Sequence, residues 1–218
     1  MKVCVLIPTY NGEATIPRLV QEVTKSVERC LVVDDGSTDQ TADCASRAGA
    51  AVIRHSSNCG KGACLRCGFD WALREGYDGV ITMDGDGQHD PRDIPRLIKK
   101  AKESPAGIII GNRMESAEKM PLIRRLTNRV MSWIISRICS QRIPDSQCGF
   151  RLIKRKVLER LGLVTSRFET ESEILIKAHR ANFEIDSIPI GTIYRNEKSK
   201  ISPLSDTVRF IKLIISCR

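Results

Sequence analysis

The chain has 218 residues, 41% of them hydrophobic and 28% charged, with 35 Lys+Arg against 26 Asp+Glu. That length suits a single α/β domain spanning 1–218, and the net charge of +9 favours anionic partners such as a nucleotide phosphate, a nucleic acid or an acidic membrane surface. Aromatic residues are only 5% and no stacking or helix-turn-helix signature is present, so no nucleic acid is expected; no apolar run approaches about 18 residues, which excludes a spanning helix.

Taken in order, the chain alternates strands with helices. Residues 2–7 predict a first strand that ends in Pro8-Thr-Tyr10-Asn11-Gly12-Glu13, and Ile16, Leu19, Val20 and Val23 follow at helical spacing. A second strand, Cys30 to Val33, runs into Asp34-Asp35-Gly36-Ser37-Thr38. Ser37 or Thr38 is the expected cap of a helix that runs to Ala48 and closes at Gly49. Ala50 to Arg54 predict a third strand, and Asn58-Cys-Gly60-Lys61-Gly62 leads into a helix ended by Gly76. That turn is no P-loop, because His55 replaces the first glycine and Gly62 the Ser/Thr after lysine.

The stretch that organises the chain comes next. Val80 to Met83 reads as a buried strand, and it delivers Asp84 and Asp86 onto the turn Asp84-Gly-Asp86-Gly-Gln88-His89-Asp90. Pro91 then opens a helix, at the position where a missing N–H costs nothing. Alternate aspartates on a tight loop suit a hard divalent cation and, through it, a diphosphate. An EF-hand is rejected, because His89 and Pro95 fall where glycine and glutamate are needed. A dinucleotide loop fails because Asp90 replaces the last glycine. A plain surface turn stays open, since Asp and Gly are ordinary turn residues.

A helix over 92–103 and a strand from Gly107 to Gly111 complete the α/β alternation, which predicts a mostly parallel sheet with helices on both faces. The pattern then changes. From Arg113 to Arg160 there are twelve Lys/Arg against four Asp/Glu. Pro121 to Ser140 predicts a long basic helix with Leu126, Val130, Ile134 and Ile138 spaced by four and Trp133 beside them. Such a helix either lies in a membrane interface, with Arg124, Arg125, Arg129 and Arg137 on headgroups, or packs on the sheet. Asp145-Ser-Gln-Cys-Gly149-Phe150-Arg151 precedes helices from about 154 and after Phe168, and a strand covers Phe183 to Ile190. A polar loop, Arg195 to Lys200, and a short helix from Asp206 to Ser216 end the chain.

Nine scattered cysteines, with no apolar leader before Val3, point to reduced thiols and a cytoplasmic chain. Cys64-x-x-Cys67 lacks a second ligand pair at zinc spacing, so these cysteines read as small packing residues.

Four strand-end motifs now stand in series: Pro8-Thr-Tyr10-Asn11, Val33-Asp34-Asp35-Gly-Ser, Asn58-x-Gly-Lys61-Gly and Asp84-Gly-Asp86-x-Gln88. Together with Gly111-Asn-Arg113, the arginine-rich helix and Asp145-x-x-x-Gly149-Phe150-Arg151, the series resembles the family-2 glycosyltransferases of GT-A fold, and within them the dolichol-phosphate mannosyltransferase branch. The resemblance implies a Rossmann-like sheet, a nucleotide-sugar half over about 1–113 and an acceptor and membrane-facing half over about 114–218. It implies that Pro8, Tyr10 and Asp35 contact the nucleoside, with Lys61 close by. Asp84, Asp86 and Gln88 resemble the set that holds Mg²⁺ or Mn²⁺ and the diphosphate. Arg113, Arg124 and Asn128 resemble the grip on an acceptor phosphate, and Lys200 a lysine that closes on it. Many relatives carry a glutamate two residues after the tyrosine. Here Gly12 holds that place and the acid is Glu13, so a nucleotide contact by Glu13 is an open assignment.

The implied reaction moves a sugar with inversion from a GDP- or UDP-linked donor to a polyprenyl phosphate, on a chain held peripherally at an anionic membrane. Asp86, Arg113 and Asp145 are the candidate catalytic residues. A phosphate acceptor is ionised near pH 7 and needs no general base, whereas a sugar hydroxyl does. Asp145 is the acid in place for that alternative, unless it is a cap or turn residue. Guanidinium forks match phosphate oxygens, and the arginine cluster therefore favours the phosphate acceptor.

Overall fold

The computed structural model describes residues 1–115, 120–193, 209, 210 and 212–214. One seven-stranded sheet organises them, with strands β1 (Val3–Thr9), β2 (Arg29–Asp34), β3 (Ala51–Arg54), β4 (Gly79–Thr82), β5 (Ile108–Asn112), β6 (Arg151–Lys154) and β7 (Ile185–Pro189). Their order is β3-β2-β1-β4-β6-β5-β7. β6 runs antiparallel to both neighbours, and all other pairings are parallel.

The central strands are apolar without alternation because helices cover the sheet, so side chains on either face find a core. Every residue of β1, β4 and β5 is buried. Helices α1 (Ile16–Val23), α2 (Thr41–Arg47), α3 (Lys61–Arg74), α4 (Ile94–Glu103), α5 (Leu122–Ile138), α6 (Arg155–Leu158) and α7 (Thr170–Arg180) join the strands. α3 lies so close to β1 that a Cβ on Gly68 would come within 2.3 Å of the Leu6 side chain. That approach explains a glycine inside a helix, where it otherwise costs about 1 kcal/mol relative to alanine.

The chain builds β1, β2 and β3 outward in one direction, then returns to place β4 on the other side of β1. Strand order thus reverses between β1 and β4, which is where open α/β sheets place a ligand crevice, beyond the carboxyl ends of the strands. The loops after Thr9 and Thr82 both emerge there.

Several sequence expectations are corrected by the structure. α2 starts at Thr41, and neither Ser37 nor Thr38 caps it. Their groups face the first loop instead: Asn11 N–H donates to Ser37 Oγ at 2.8 Å, and Thr38 N–H donates to Asn11 Oδ1 at 2.9 Å. The helix after Pro91 begins as a 3-10 turn over Pro91–Asp93, with Asp90 accepting from Arg92 N–H, before α4 starts at Ile94. β6 was not expected as a strand, and only four residues of helix follow it. Residues 209, 210 and 212–214 are helical, as the final helix requires, and the rest of that span lies outside the described residues.

Candidate active site

At the switch point, Asp84 leaves β4 with Lys61 Nζ on its Oδ1, and the same ammonium also pairs with Glu171 Oε1. Lys61 is the first residue of α3 and Glu171 the second of α7, so this cation ties three elements together. Burial alone would lower the Lys61 pKa, but Asp84 and Glu171 outweigh it and hold the lysine firmly charged. Burial would likewise raise the Asp84 carboxyl, but the Lys61 charge outweighs it and holds Asp84 well below the usual carboxylate range. Both groups are ionised at neutral pH.

The backbone around Asp84 is closely fitted. A Cβ at Gly149 would stand 2.7 Å from Asp84 Oδ2 and 2.9 Å from Glu171 Oε1, so a larger residue there would displace these carboxylates. His89, 2% exposed, accepts from Asp84 N–H at Nδ1 over 3.3 Å and stacks on Phe150 at 5.3 Å. Burial pushes its imidazole down to about 4, so it is neutral at pH 7 and braces the loop without adding charge. Asp86 Oδ1 accepts from Gln88 N–H at 2.9 Å, which turns the loop, and the Gln88 carbonyl accepts from Ile193 N–H at 2.9 Å.

The carboxyl ends of β1 and β2 form the neighbouring wall. Pro8 pairs with Val33 across the two strands, Tyr10 is 37% exposed, and Asp35 N–H donates to Thr9 O at 2.9 Å. The Asp35 carboxylate accepts from Cys59 N–H at 2.9 Å and Gly60 N–H at 2.8 Å, which fixes the loop carrying Lys61. Glu13 Oε2 accepts from the N–H of Gln40, the residue before α2, at 3.0 Å.

The second half supplies a closed ion pair. Arg113, just after β5, donates from Nε to Asp145 Oδ2 at 2.7 Å and from Nη2 to Oδ1 at 2.9 Å, and its backbone N–H reaches Oδ2 at 3.2 Å. Asp145 is fully buried and Arg113 is 6% exposed. Burial would raise the Asp145 carboxyl, but the hydrogen bonds and charge of Arg113 outweigh it and hold it below the usual range. Arg151, 1% exposed, donates to the carbonyls of Ser146 (2.7 Å), Cys148 (2.6 Å) and Glu171 (2.6 Å), anchoring the Asp145 loop to α7.

α5 turns a polar side inward. Asn128, Ser132 and Ile135 are its buried residues, with Asn128 Nδ2 3.9 Å from Met120 Sδ and Ser132 Oγ accepting from Ser146 N–H at 2.9 Å. Arg124 is half-buried. Leu122 (80%), Ile123 (83%), Leu126 (64%), Val130 (49%) and Trp133 (61%) face solvent, while Ile134 and Ile138 pack on the core. The apolar stripe read from the sequence therefore divides, its first half outward and its second half inward. Lys200 lies outside the described residues.

Comparisons with known proteins give the family and the fold. The model of "Glycosyl transferase family 2" matches residues 4–162. The chain belongs to glycosyltransferase family 2. It is 32% identical over 200 residues to a polyprenol monophosphomannose synthase of Mycolicibacterium smegmatis, covering 85% of this chain and 75% of that one. It is 30% identical over 212 residues to a UDP-N-acetylglucosamine–dolichyl-phosphate N-acetylglucosaminyltransferase of Methanococcus voltae, covering 87% and 84%. The glucosyl-3-phosphoglycerate synthase of Mycobacterium tuberculosis, solved with Mn²⁺, UDP and glucosyl-3-phosphoglycerate, shares the fold at a TM-score of 0.74, with 18% identity and coverage of 99% and 78%. This glycosyltransferase thus has the GT-A fold and a mostly parallel α/β sheet, as its strand-end motifs imply.

Glu171, His89 and Gly149 were not singled out from the sequence as parts of the site. Gly149 stood in the Asp145-to-Arg151 motif, and His89 in the aspartate turn. Glu171 carried no signal beyond an acidic first turn of a helix, which the helix dipole explains by itself.

Proposed function

We propose that this glycosyltransferase moves a sugar, with inversion, from a nucleoside diphosphate sugar to a polyprenyl phosphate. The observation that carries this reading is the Arg113–Asp145 pair: both oxygens of Asp145, the acid nominated as base for a hydroxyl acceptor, are engaged by one buried guanidinium. A carboxylate held so, and kept below its usual pKa, is poorly suited to take a proton from a hydroxyl. A phosphate oxygen needs no such base. The two relatives named for transfer to lipid phosphates support the same acceptor class.

Asp84 and Asp86 offer hard oxygen donors on one tight turn, a set that fits Mg²⁺ or Mn²⁺. Such an ion would supply charge neutralisation for the departing nucleoside diphosphate. Pro8, Tyr10 and Asp35 line the nucleoside side, and Lys61 is placed to exchange its carboxylates for phosphate oxygens when the donor enters. Asp145 holds Arg113 toward the acceptor, with Arg124 and Asn128 of α5 and Lys200 as further phosphate contacts. Glu13, whose Oε2 accepts from Gln40 N–H, anchors the start of α2. The outward Leu122, Ile123, Leu126, Val130 and Trp133, with Arg129 and Arg137 beside them, would sit in the interface of an anionic membrane. No helix among the described residues is long and apolar enough to cross it.

The test is transfer of label from GDP- and UDP-linked sugars to a short polyprenyl phosphate in detergent. The expected product is a lipid-phosphate sugar whose anomeric configuration is opposite to that of the donor. Retained configuration, or label only on hydroxyl acceptors, would overturn the proposal.

A further inference from the structure

We propose that Asp35, His55 and Cys64 form a second cation site, separate from the aspartate pair after β4, that takes a thiophilic divalent ion of the zinc class. The three residues come from different elements: Asp35 follows β2, His55 follows β3, and Cys64 lies in the first turn of α3. His55 Nδ1 is 3.0 Å from Asp35 Oδ1 and 3.8 Å from Cys64 Sγ, and all three donor atoms lie within 4.8 Å of one another. Zinc bonds of about 2.0–2.3 Å in a tetrahedron place their donors about 3.3–3.8 Å apart. The side chains thus stand close to liganding positions before any ion arrives.

Their surroundings favour such a site. Asp35 is oriented by Cys59 N–H and Gly60 N–H, the kind of supporting hydrogen bonds that fix metal ligands. Asp35 and Cys64 are buried, whereas the His55 side chain is 17% exposed and leaves a path for the ion and for a water as fourth ligand. Three protein ligands with one open position are a familiar zinc arrangement. A mixed oxygen, nitrogen and sulfur set selects zinc-class ions, while the all-oxygen Asp84 and Asp86 pair selects Mg²⁺ or Mn²⁺.

Protons balance simply. Burial, followed by the Asp35 charge, pushes the Cys64 thiol up, so it keeps its proton until an ion displaces that proton to solvent. The 3.0 Å contact with Asp35 Oδ1 calls for a proton on His55 Nδ1 in the empty site, and ligation through Nδ1 requires the Nε2–H tautomer, so that proton moves to Nε2 by exchange with solvent as the ion binds. One consequence rests on the donor reading above: an ion on Asp35 withdraws a nucleoside contact, so zinc would oppose donor binding while Mg²⁺ or Mn²⁺ supports it.

The test is titration of the metal-free, fully reduced protein with Co²⁺, read by absorbance. One equivalent is expected to give a thiolate-to-cobalt charge-transfer band with tetrahedral visible bands, and Zn²⁺ should bleach both. Cys64→Ser should lose the thiolate band. His55→Ala, at a partly exposed position that leaves the fold intact, should weaken Co²⁺ at least about tenfold. No thiolate band at one equivalent, or a band unchanged in both variants, would overturn the site. UDP binding is measured separately at saturating Mg²⁺. Zn²⁺ should weaken it in the wild type and not in Cys64→Ser. A protein that gives the cobalt band and binds no UDP keeps this site and removes the donor reading.

Discussion

Lys61, its side chain 15% exposed, and the buried Arg113 are both cations paired with carboxylates, yet they are held in different ways. Lys61 is shared between Asp84, whose side chain is 29% exposed, and Glu171, at 10%. Its ammonium is a point charge on a rotatable stem and can pass from carboxylate to phosphate without moving the backbone. Arg113 offers two fork atoms to one fully buried carboxylate, an arrangement fixed in plane and direction. Charge can change hands at the first assembly; the second holds a cation in place. The proposed function assigns the donor diphosphate to the former, and an acceptor that needs only a standing positive charge to the latter.

Breaking the fixed pair should have the largest effect. Asp145→Asn leaves a buried guanidinium without its countercharge, and we predict a loss of about 3–5 kcal/mol in stability by denaturant unfolding. An unchanged unfolding midpoint would show that the pair is not closed in solution. The variant also unseats Arg113, so its activity alone does not report on a base.

Asp86→Ala touches the exchanging side. We predict intact folding and a fall of roughly 10²–10³ in turnover at saturating Mn²⁺, the scale of losing one electrostatic stabiliser. A normal rate would remove Asp86 from the diphosphate site.

The difference between the assemblies also shows what the sequence could reveal. β1, β2 and β4 carry uninterrupted apolar runs that lead into Pro8, Asp34 and Asp84, so both the strands and the chemistry at their ends could be read locally. β6 could not: its four residues, Arg151-Leu-Ile-Lys154, begin and end with cations, and its antiparallel place between β4 and β5 is a long-range property. Asp145 was legible as an acid near the site, but its partner was not, because Arg113 lies 32 residues away in sequence. Glu171 was hidden for the same reason. For α5 the spacing of apolar residues was correct, and only packing decides that Leu126 and Val130 face out while Ile134 and Ile138 face in.

His89 sharpens the exchanging side through pH. Its unfolded imidazole takes a proton below about 6.5, whereas the folded one, held near 4, does not. The unfolded state therefore binds more protons across that window. Stability is full above about 6.5 and falls by roughly 3 kcal/mol as pH drops to 4. Melting curves should show this fall in the wild type and a smaller one in His89→Gln; equal falls would contradict a buried neutral His89.

Arg124→Ala should have the smallest effect. Loss of one charge-assisted hydrogen bond of about 1.5–3 kcal/mol predicts a rise of roughly 10- to 150-fold in KM for the acceptor, with donor affinity unchanged. Unaltered acceptor kinetics would take Arg124 out of the phosphate grip.

The central claim is that the acceptor arrives already ionised and no side chain takes a proton. The most direct measurement compares two acceptors of identical chain length, a polyprenyl phosphate and the corresponding polyprenol, with the same sugar nucleotide and divalent ion. The account predicts transfer to the phosphate and none above background to the alcohol. Equal or faster transfer to the alcohol would contradict it.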